Sequence, residues 1–256
     1  MLDYAAFPQQ RQALICQILQ ENGRVVCAEL AARLQVSEHT IRRDLHELSR
    51  EGFCKKVYGG AVLSLPEAGD YSERKDKNRA TKLRIAQQCA RLVKPGGTIF
   101  VDTGTTNLAM AEALPAELAL TVVTNSPEIA AVLVKKPLYD VVILGGQVQR
   151  ASGGCVGAAA VAQVQGMLFD QGFIGGCAMA PESGLTGFDY ADCEFKKAVI
   201  KQCSEIIIGL TSDKIPAVAR FVVAASSEID VLVVEENISR EYRVAFQQHD
   251  IRIHTV

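Results

Sequence analysis

The stretch Asp102-Thr103-Gly104-Thr105-Thr106 has the make-up of an anion-binding turn. It closes a β-branched run at 98–102 and opens a helical stretch at 106–113. Gly104 permits a tight turn, a helix start offers free N–H groups and partial positive charge, and threonine hydroxyls add donors. A phosphate is the ligand such a turn suits. A plainer reading, in which Asp102 and the threonines only cap the helix, stays open. Thr124-Asn125-Ser126 follows the next β-branched run and Gly145-Gly146 the one after. Loops at the carboxyl ends of parallel strands open on one crevice, so Asp102, Gly104, Thr105, Thr106, Thr124, Asn125, Gly145 and Gly146 are expected to line one pocket. Asp and Asn side chains suit sugar hydroxyls, although Asn125 also fits an ordinary turn. Asp192 and Lys196 stand four apart on an expected helix, by spacing alone a surface ion pair worth ~0.5 kcal/mol. Lys214, after another β-branched run, reads by itself as a solvated loop lysine.

A second constellation lies near the N-terminus. Helical spacing covers 8–21, 28–34 and 38–50, with Gln35-Val36-Ser37 as the short turn between the last two. Ser37 is a good N-cap. On the third helix Ile41, Leu45 and Leu48 share one side, while His39, Arg43, His46 and Arg50 lie opposite, flanked by Thr40 and Arg42. An outward face rich in donors, on the second helix of a helix-turn-helix, is what enters a DNA major groove. His39, Thr40 and Arg43 are the expected base contacts and Arg42 a phosphate contact. Residues 53–63 then read as two strands with a Gly59-Gly60 turn, a β wing whose Lys55 and Lys56 would neutralise phosphates.

Other chemistries are thin. Proton transfer between carbons needs a positioned base, and Asp102, Asp192 and Glu194 supply carboxylates without an obvious pair. The eight cysteines form no CxxC, and the four histidines are scattered, so no metal, no cofactor and no catalytic residue is expected. The thiols read as reduced, in a cytoplasmic setting.

The elements that must position these groups change character along the chain. Residues 1–64 are helical and then wing-like, 65–77 are polar and linker-like, and 78–256 alternate β-branched runs with helical stretches. The expected fold is therefore α/β: a winged helix-turn-helix DNA-binding domain, a linker, and a domain with a mostly parallel sheet. Apolar residues make up 48% of the 256, enough for packed cores, and no run reaches the ~18 residues of a membrane span. Net charge is −2, and residues 1–62 carry eight basic against seven acidic groups. Placement of charge, not its sum, carries the nucleic-acid reading.

Taken together, Val36-Ser37-Glu38, Thr40-Ile41-Arg42-Arg43-Asp44-Leu45, Gly52 and Tyr58-Gly59-Gly60-Ala61 resemble the DeoR family of bacterial sugar-metabolism regulators. The resemblance continues through Arg74, Lys82, the Asp102–Thr106 turn, Thr124-Asn125-Ser126, Leu144-Gly145-Gly146, Phe173-Ile174-Gly175 and Gly184-Leu185-Thr186. It implies a two-domain repressor of a carbohydrate-utilisation operon that binds double-stranded operator DNA as a homodimer or homotetramer. It also implies a second domain resembling sugar-phosphate isomerases that binds a phosphorylated sugar effector, which relieves repression. By that resemblance Asp192, Lys196 and Lys214 lie near the effector. The chain departs from the family's pattern at Thr211, where an Asp is usual, at Asp192, where a Glu is usual, and at Ile215, where a Phe is common. Two alternatives remain: a sensor domain acting mainly as an oligomerisation platform, and residual isomerase activity.

Overall fold

In the computed structural model the described residues are 7–64 and 71–256. The head runs α1 (Pro8–Asn22), β1 (Arg24–Val26), α2 (Cys27–Leu34), α3 (Glu38–Arg50), β2 (Cys54–Val57) and β3 (Gly60–Leu63). Gly23 ends α1 in the left-handed region, φ 74°, where glycine carries no Cβ penalty. Ile15, Ile18 and Leu19 of α1 meet Leu30 and Leu34 of α2 and Ile41, Leu45 and Leu48 of α3 in one core. The wing is three-stranded, in the order β1-β3-β2. The turn is Tyr58-Gly59, because Gly60 already belongs to β3; a Cβ there would stand 1.9 Å from the Val25 carbonyl oxygen, so only glycine lets β1 and β3 approach.

The larger part begins with α4 (Tyr71–Asp76), a helix in residues the sequence reads as linker, whereas 65–70 of that linker lie outside the described residues. Then follow α5 (Arg79–Arg91), β4 (Thr98–Val101), α6 (Thr105–Ala113), β5 (Leu120–Thr124), α7 (Pro127–Leu133) and β6 (Tyr139–Ile143). The hairpin β7 (Gln147–Gln149) and β8 (Gly154–Val156) leads to α8 (Ala158–Val164) and β9 (Gln171–Ile174). After β10 (Ala178–Ala180), β11 (Gly184–Gly187) and α9 (Tyr190–Ile200) come β12 (Ile206–Gly209), β13 (Phe221–Ala224), β14 (Val231–Val234), α10 (Arg240–Gln247) and β15 (Arg252–Thr255).

Seven strands form a wholly parallel sheet in the order β15-β14-β12-β9-β4-β5-β6. Alternation along each strand feeds two cores. Ile99 and Val101 of β4 pack with α5, α6 and α7 on one face, while Phe100 packs with Phe169 and with Phe195 of α9 on the other. From β4 the chain builds outward through β5 and β6, then returns to place β9 on the other side of β4. The carboxyl ends of β4 and β9 therefore flank the topological switch point, where a crevice must open. A small antiparallel sheet, β10-β11-β13, sits beyond that end.

The head rests on this domain at a narrow seat. Val218 N–H donates to the Leu63 carbonyl at 3.0 Å, and Val62 of β3 is buried against Ala180 and Val218. Arg24 pairs with Glu241 and, at 3.6 Å, with Glu182, and the Tyr242 hydroxyl donates to the Asn22 carbonyl.

Candidate functional site

The outward face of α3 is as its sequence spacing requires. His39, Arg42, Arg43, His46 and Arg50 are exposed, opposite buried Ile41, Leu45 and Leu48. Ser37 caps the helix by accepting from Thr40 N–H at 3.1 Å, and its hydroxyl lies 2.9 Å from the Thr40 hydroxyl, so Ser37 holds the helix start and half-engages Thr40. Arg42 pairs with Glu38 at 2.7 Å and Arg43 with Glu47 at 3.6 Å; both are exposed i,i+4 pairs that a phosphate or base edge can displace at small cost. α3 is anchored by Asp44, which spacing alone did not single out: it is buried and accepts twice from Arg11 of α1.

Two wing residues are placed otherwise than expected. Successive residues of a strand point to opposite faces. Lys56 faces outward, whereas Lys55 is half-buried and lines a hollow between head and sensor with Phe53 and Val218. Gly60 is buried under β1, which leaves Gly59, φ 77°, at the exposed turn. Its neighbour Tyr58 is fully exposed at the wing tip.

The second site is the crevice at the switch point. Gly104, Thr105 and Thr106, at the N-terminus of α6, face the Gly175-Gly176-Cys177 turn after β9. Asp192 and Lys196 of α9, Lys214 beyond β12 and Arg74 of α4 complete its wall. The expected surface pair of α9 is in fact buried: Lys196 Nζ lies 2.5 Å from Asp192 and 3.5 Å from Asp102, with the three side chains almost wholly enclosed. Desolvation pushes the Asp102 carboxyl up to about 7 against the pull of Lys196. Desolvation also works to discharge Lys196, but Asp102 and Asp192 overrule it and hold the ammonium above its usual range.

Among the described residues, three buried acceptor oxygens in or directly behind this wall have no hydrogen-bond partner: Asp102 Oδ1, Asp192 Oδ1 and Gln149 Oε1. Leaving such an atom unsatisfied costs ~1–3 kcal/mol, so each favours a ligand that brings donors. A cationic group stands near them. Lys214 Nζ donates to the Gly176 carbonyl at 2.9 Å, and Lys82 donates to the Arg74 carbonyl. Burial, with Lys214 and Arg74 close by, lowers Lys82 to about 8, and burial lowers Lys214 as well. Cations depressed in this way are stabilised by an arriving anion.

Five residues expected in the pocket do not line it, and of these Asp102 stands directly behind the wall, accepting from the Gly175 N–H. Thr124 ends β5 and Asn125 follows it, while Gly145 and Gly146 follow β6, all on the side of β4 away from β9. Asn125 is fully buried and acts as scaffold, its Oδ1 accepting from Thr103 N–H at 3.0 Å and its Nδ2 donating to the Cys155 carbonyl. Thr124 is buried with its hydroxyl accepting from Ser126 N–H. Gly145 is exposed and bonded through both backbone groups to Gln163, with Gly146 beside it near Cys155 and Ala160. The hairpin β7–β8 folds over this side, its Ser152 carbonyl taking the Thr103 hydroxyl. Sequence reading missed the pocket residues Gln149, Ser152, Cys177, Phe188 and Asp189, which no periodic pattern marks. Of the departures, Thr211 and Ile215 are buried and Asp192 lines the crevice.

A helix-turn-helix head with a free donor-lined helix, joined to an α/β domain with a charged crevice, defines a ligand-sensing transcription regulator as the class. Two family models match, a DeoR-like helix-turn-helix domain over residues 11–66 and a DeoR C-terminal sensor domain over residues 77–236. The chain belongs to the DeoR family of transcription regulators. Among its relatives, the HTH-type transcriptional regulator GolR of Listeria innocua is 31% identical over 243 residues, covering 94% of this chain and 96% of that protein. The glycerol-3-phosphate regulon repressor of Escherichia coli K12 is 29% identical over 227 residues, covering 88% and 90%. Ribose 5-phosphate isomerase A of Methanocaldococcus jannaschii overlaps 56% of each chain at 19% identity and a TM-score of 0.41, a likeness too slight to bear on chemistry. Among the described residues no helix is long and apolar enough to cross a membrane.

Proposed function

We propose that the chain represses a carbohydrate-utilisation operon by binding double-stranded operator DNA through α3 and the wing, and that a phosphorylated sugar in the switch-point crevice relieves the repression. The observation that carries the ligand class is the pairing of opposite demands in one crevice. The N-terminus of α6 with Lys214 and Arg74 suits a phosphate, with Lys82 behind Arg74, and the oxygens of Asp102, Asp192 and Gln149 that have no partner among the described residues suit hydroxyl donors. A sugar phosphate carries both. On the head, Arg43 and His39 are the base readers and Arg42 and Lys56 the phosphate contacts.

Two half-sites on an operator call for two heads, so the acting species is a homodimer or homotetramer. The open edge strand β6 supports this, since Val142 and Ile143 are exposed there and an apolar sheet edge invites pairing with a copy of itself. The test is a thermal-shift panel of sugar phosphates and their unphosphorylated sugars, followed by operator binding with and without each compound. A phosphorylated compound that raises the midpoint and weakens operator binding is the expected result. Absence of any shift across the panel would favour a sensor domain that serves only as an oligomerisation platform.

A further inference from the structure

Two features join the crevice to the wing. The first is a strap from Lys214 to Ala219. Lys214 lines the crevice; Pro216 abuts Gly23, where a Cβ would come within 2.7 Å of the proline ring; Val218 donates to Leu63 of the wing. Only three residues separate the crevice lysine from the wing contact, four steps or about 13 Å of extended chain at most. The strap is tied on its other side, with Ala217 N–H bonded to Met179 O at 3.2 Å and Ala219 N–H to Thr186 Oγ1 at 2.8 Å. The second feature is Phe188. Its ring packs on Ala178, Ala217 and Ala219, and the residue lines both the crevice and the hollow between head and sensor. It is a wall with the ligand on one side and the head on the other.

The opposite wall of the crevice runs to the same place. Gly176-Cys177 leads directly into β10, whose Ala180 packs on Val62 and Val218 beneath the wing. Open clefts of about 780 and 630 Å³ flank the seat, which keeps the contact between head and sensor narrow. Interiors respond to such pushes by switching between packed arrangements rather than by stretching.

We propose that Phe188 and the strap 214–219 transmit occupancy of the crevice to the wing, with Phe188 acting as a positioning residue for the head. This rests on the ligand-sensing reading above. The strap moves Leu63, Leu63 belongs to β3, and β3 carries β2 with Lys56, so a shift of the seat re-aims the wing relative to α3. Alanine at 188 leaves the charged groups of the crevice and the outward face of α3 untouched, but removes the body that links them.

The experiment measures operator affinity with and without ligand, using ribose 5-phosphate, sn-glycerol 3-phosphate and inorganic phosphate as probes. It compares wild type, Phe188→Ala, Phe188→Leu and Val218→Ala. Ligand affinity is measured in parallel with and without operator, because the coupling must be equal from both sides. Expected is a wild-type ratio of at least about tenfold, in the range usual for coupled sites. In Phe188→Ala and Val218→Ala it should fall to below about threefold, with both separate affinities of Val218→Ala within about threefold of wild type, and Phe188→Leu should restore most of it. Hydrogen exchange at the Val218 and Leu63 amides should change with ligand in wild type and not in Phe188→Ala. Unchanged coupling in both alanine variants overturns the proposal, as does loss of ligand binding itself in Phe188→Ala, which would make the ring a ligand contact. A wild type that binds a probe without any change in operator affinity overturns the sensing reading and the relay with it.

Discussion

Arg11 of α1 and Asp44 of α3 form a two-point pair inside the head, with Nε to Oδ2 at 2.5 Å and a second bond at 3.0 Å. Both side chains are about 4% exposed. The pair fixes the recognition helix against α1, and Gln12 adds a bond to the same carboxylate. Removing one partner strands a buried charge. Arg11→Ala or Asp44→Ala should therefore cost the head ~3–5 kcal/mol, read as an earlier denaturant midpoint, whereas replacing both with apolar residues should recover part of the loss. Single-variant losses that simply add in the double variant would show that the pair contributes nothing.

Operator binding should separate the two wing lysines. Lys56→Ala, which removes an outward charge, should weaken binding to all sequences alike and reduce the slope of log affinity against log salt by about 1. Lys55→Ala should leave that slope unchanged, because its side chain lies toward the sensor. Arg43→Ala should instead cost ~1–3 kcal/mol of discrimination between operator and mismatched sites. These effects are read by fluorescence anisotropy across a salt series.

Ligand affinity should depend on pH through Lys82. In the free protein, burial first and then Lys214 and Arg74 lower this ammonium to about 8. A phosphate held at Arg74, whose carbonyl takes the Lys82 ammonium, favours the charged form. Below pH 8 the lysine is already protonated, so affinity is flat; above pH 8 binding must take up a proton, so affinity falls by up to about tenfold per pH unit. The ligand phosphate is fully ionised well below this window, with a second pKa of about 6, and does not confuse the profile. Lys82→Arg should flatten the curve between pH 7.5 and about 9.5, because an arginine stays charged throughout. Calorimetry in buffers of different ionisation heat counts the proton.

The carboxylate behind the crevice wall should be needed for binding rather than for turnover. Asp102→Asn keeps the shape but weakens the hold on Lys196 and removes a charged acceptor, so the thermal shift given by a sugar phosphate should shrink. Ribose 5-phosphate incubated with the wild-type protein should show no ribulose 5-phosphate above the uncatalysed rate. Measurable isomerisation would restore the enzymatic alternative.

Helices and their faces were legible because period and caps are local. Ile41, Leu45 and Leu48 against His39 and Arg43, the Ser37 cap and the Gly23 stop all follow from neighbours within one or two turns. Six of the seven parallel strands, all but β15, declared themselves as β-branched runs. The sheet's order was not legible: nothing near Asn125 or Gly145 tells that β9 inserts beside β4, and that insertion decides which loops meet. The crevice accordingly kept its β4 turn and lost the β5 and β6 loops, while the β9 turn, Phe188 and Gln149 entered from far along the chain. The buried character of Asp192 and Lys196 was hidden for a similar reason, since i,i+4 spacing is the same on either side of a helix. Residues 71–76 read as linker because charge dominates them, yet Tyr71 packs at Gly153 and Arg74 bonds the Ala151 carbonyl.

The narrow seat between head and sensor also bears on how such a chain can diverge. The residues that face a groove of DNA and those that face the crevice are disjoint sets, joined through a seat that includes the backbone at Leu63 and Val218, the apolar side chains beneath them and the Arg24 ion pairs. Drift in His39 or Arg43 can retune the operator without altering the ligand, and drift in Gln149 or Asp192 can retune the ligand without altering the operator. Gly23, Val62, Ala180 and Val218 have no such freedom, because each must fit a surface on the other part. Descendants of one ancestor could therefore exchange both inputs and targets while the joint between them stayed almost unaltered.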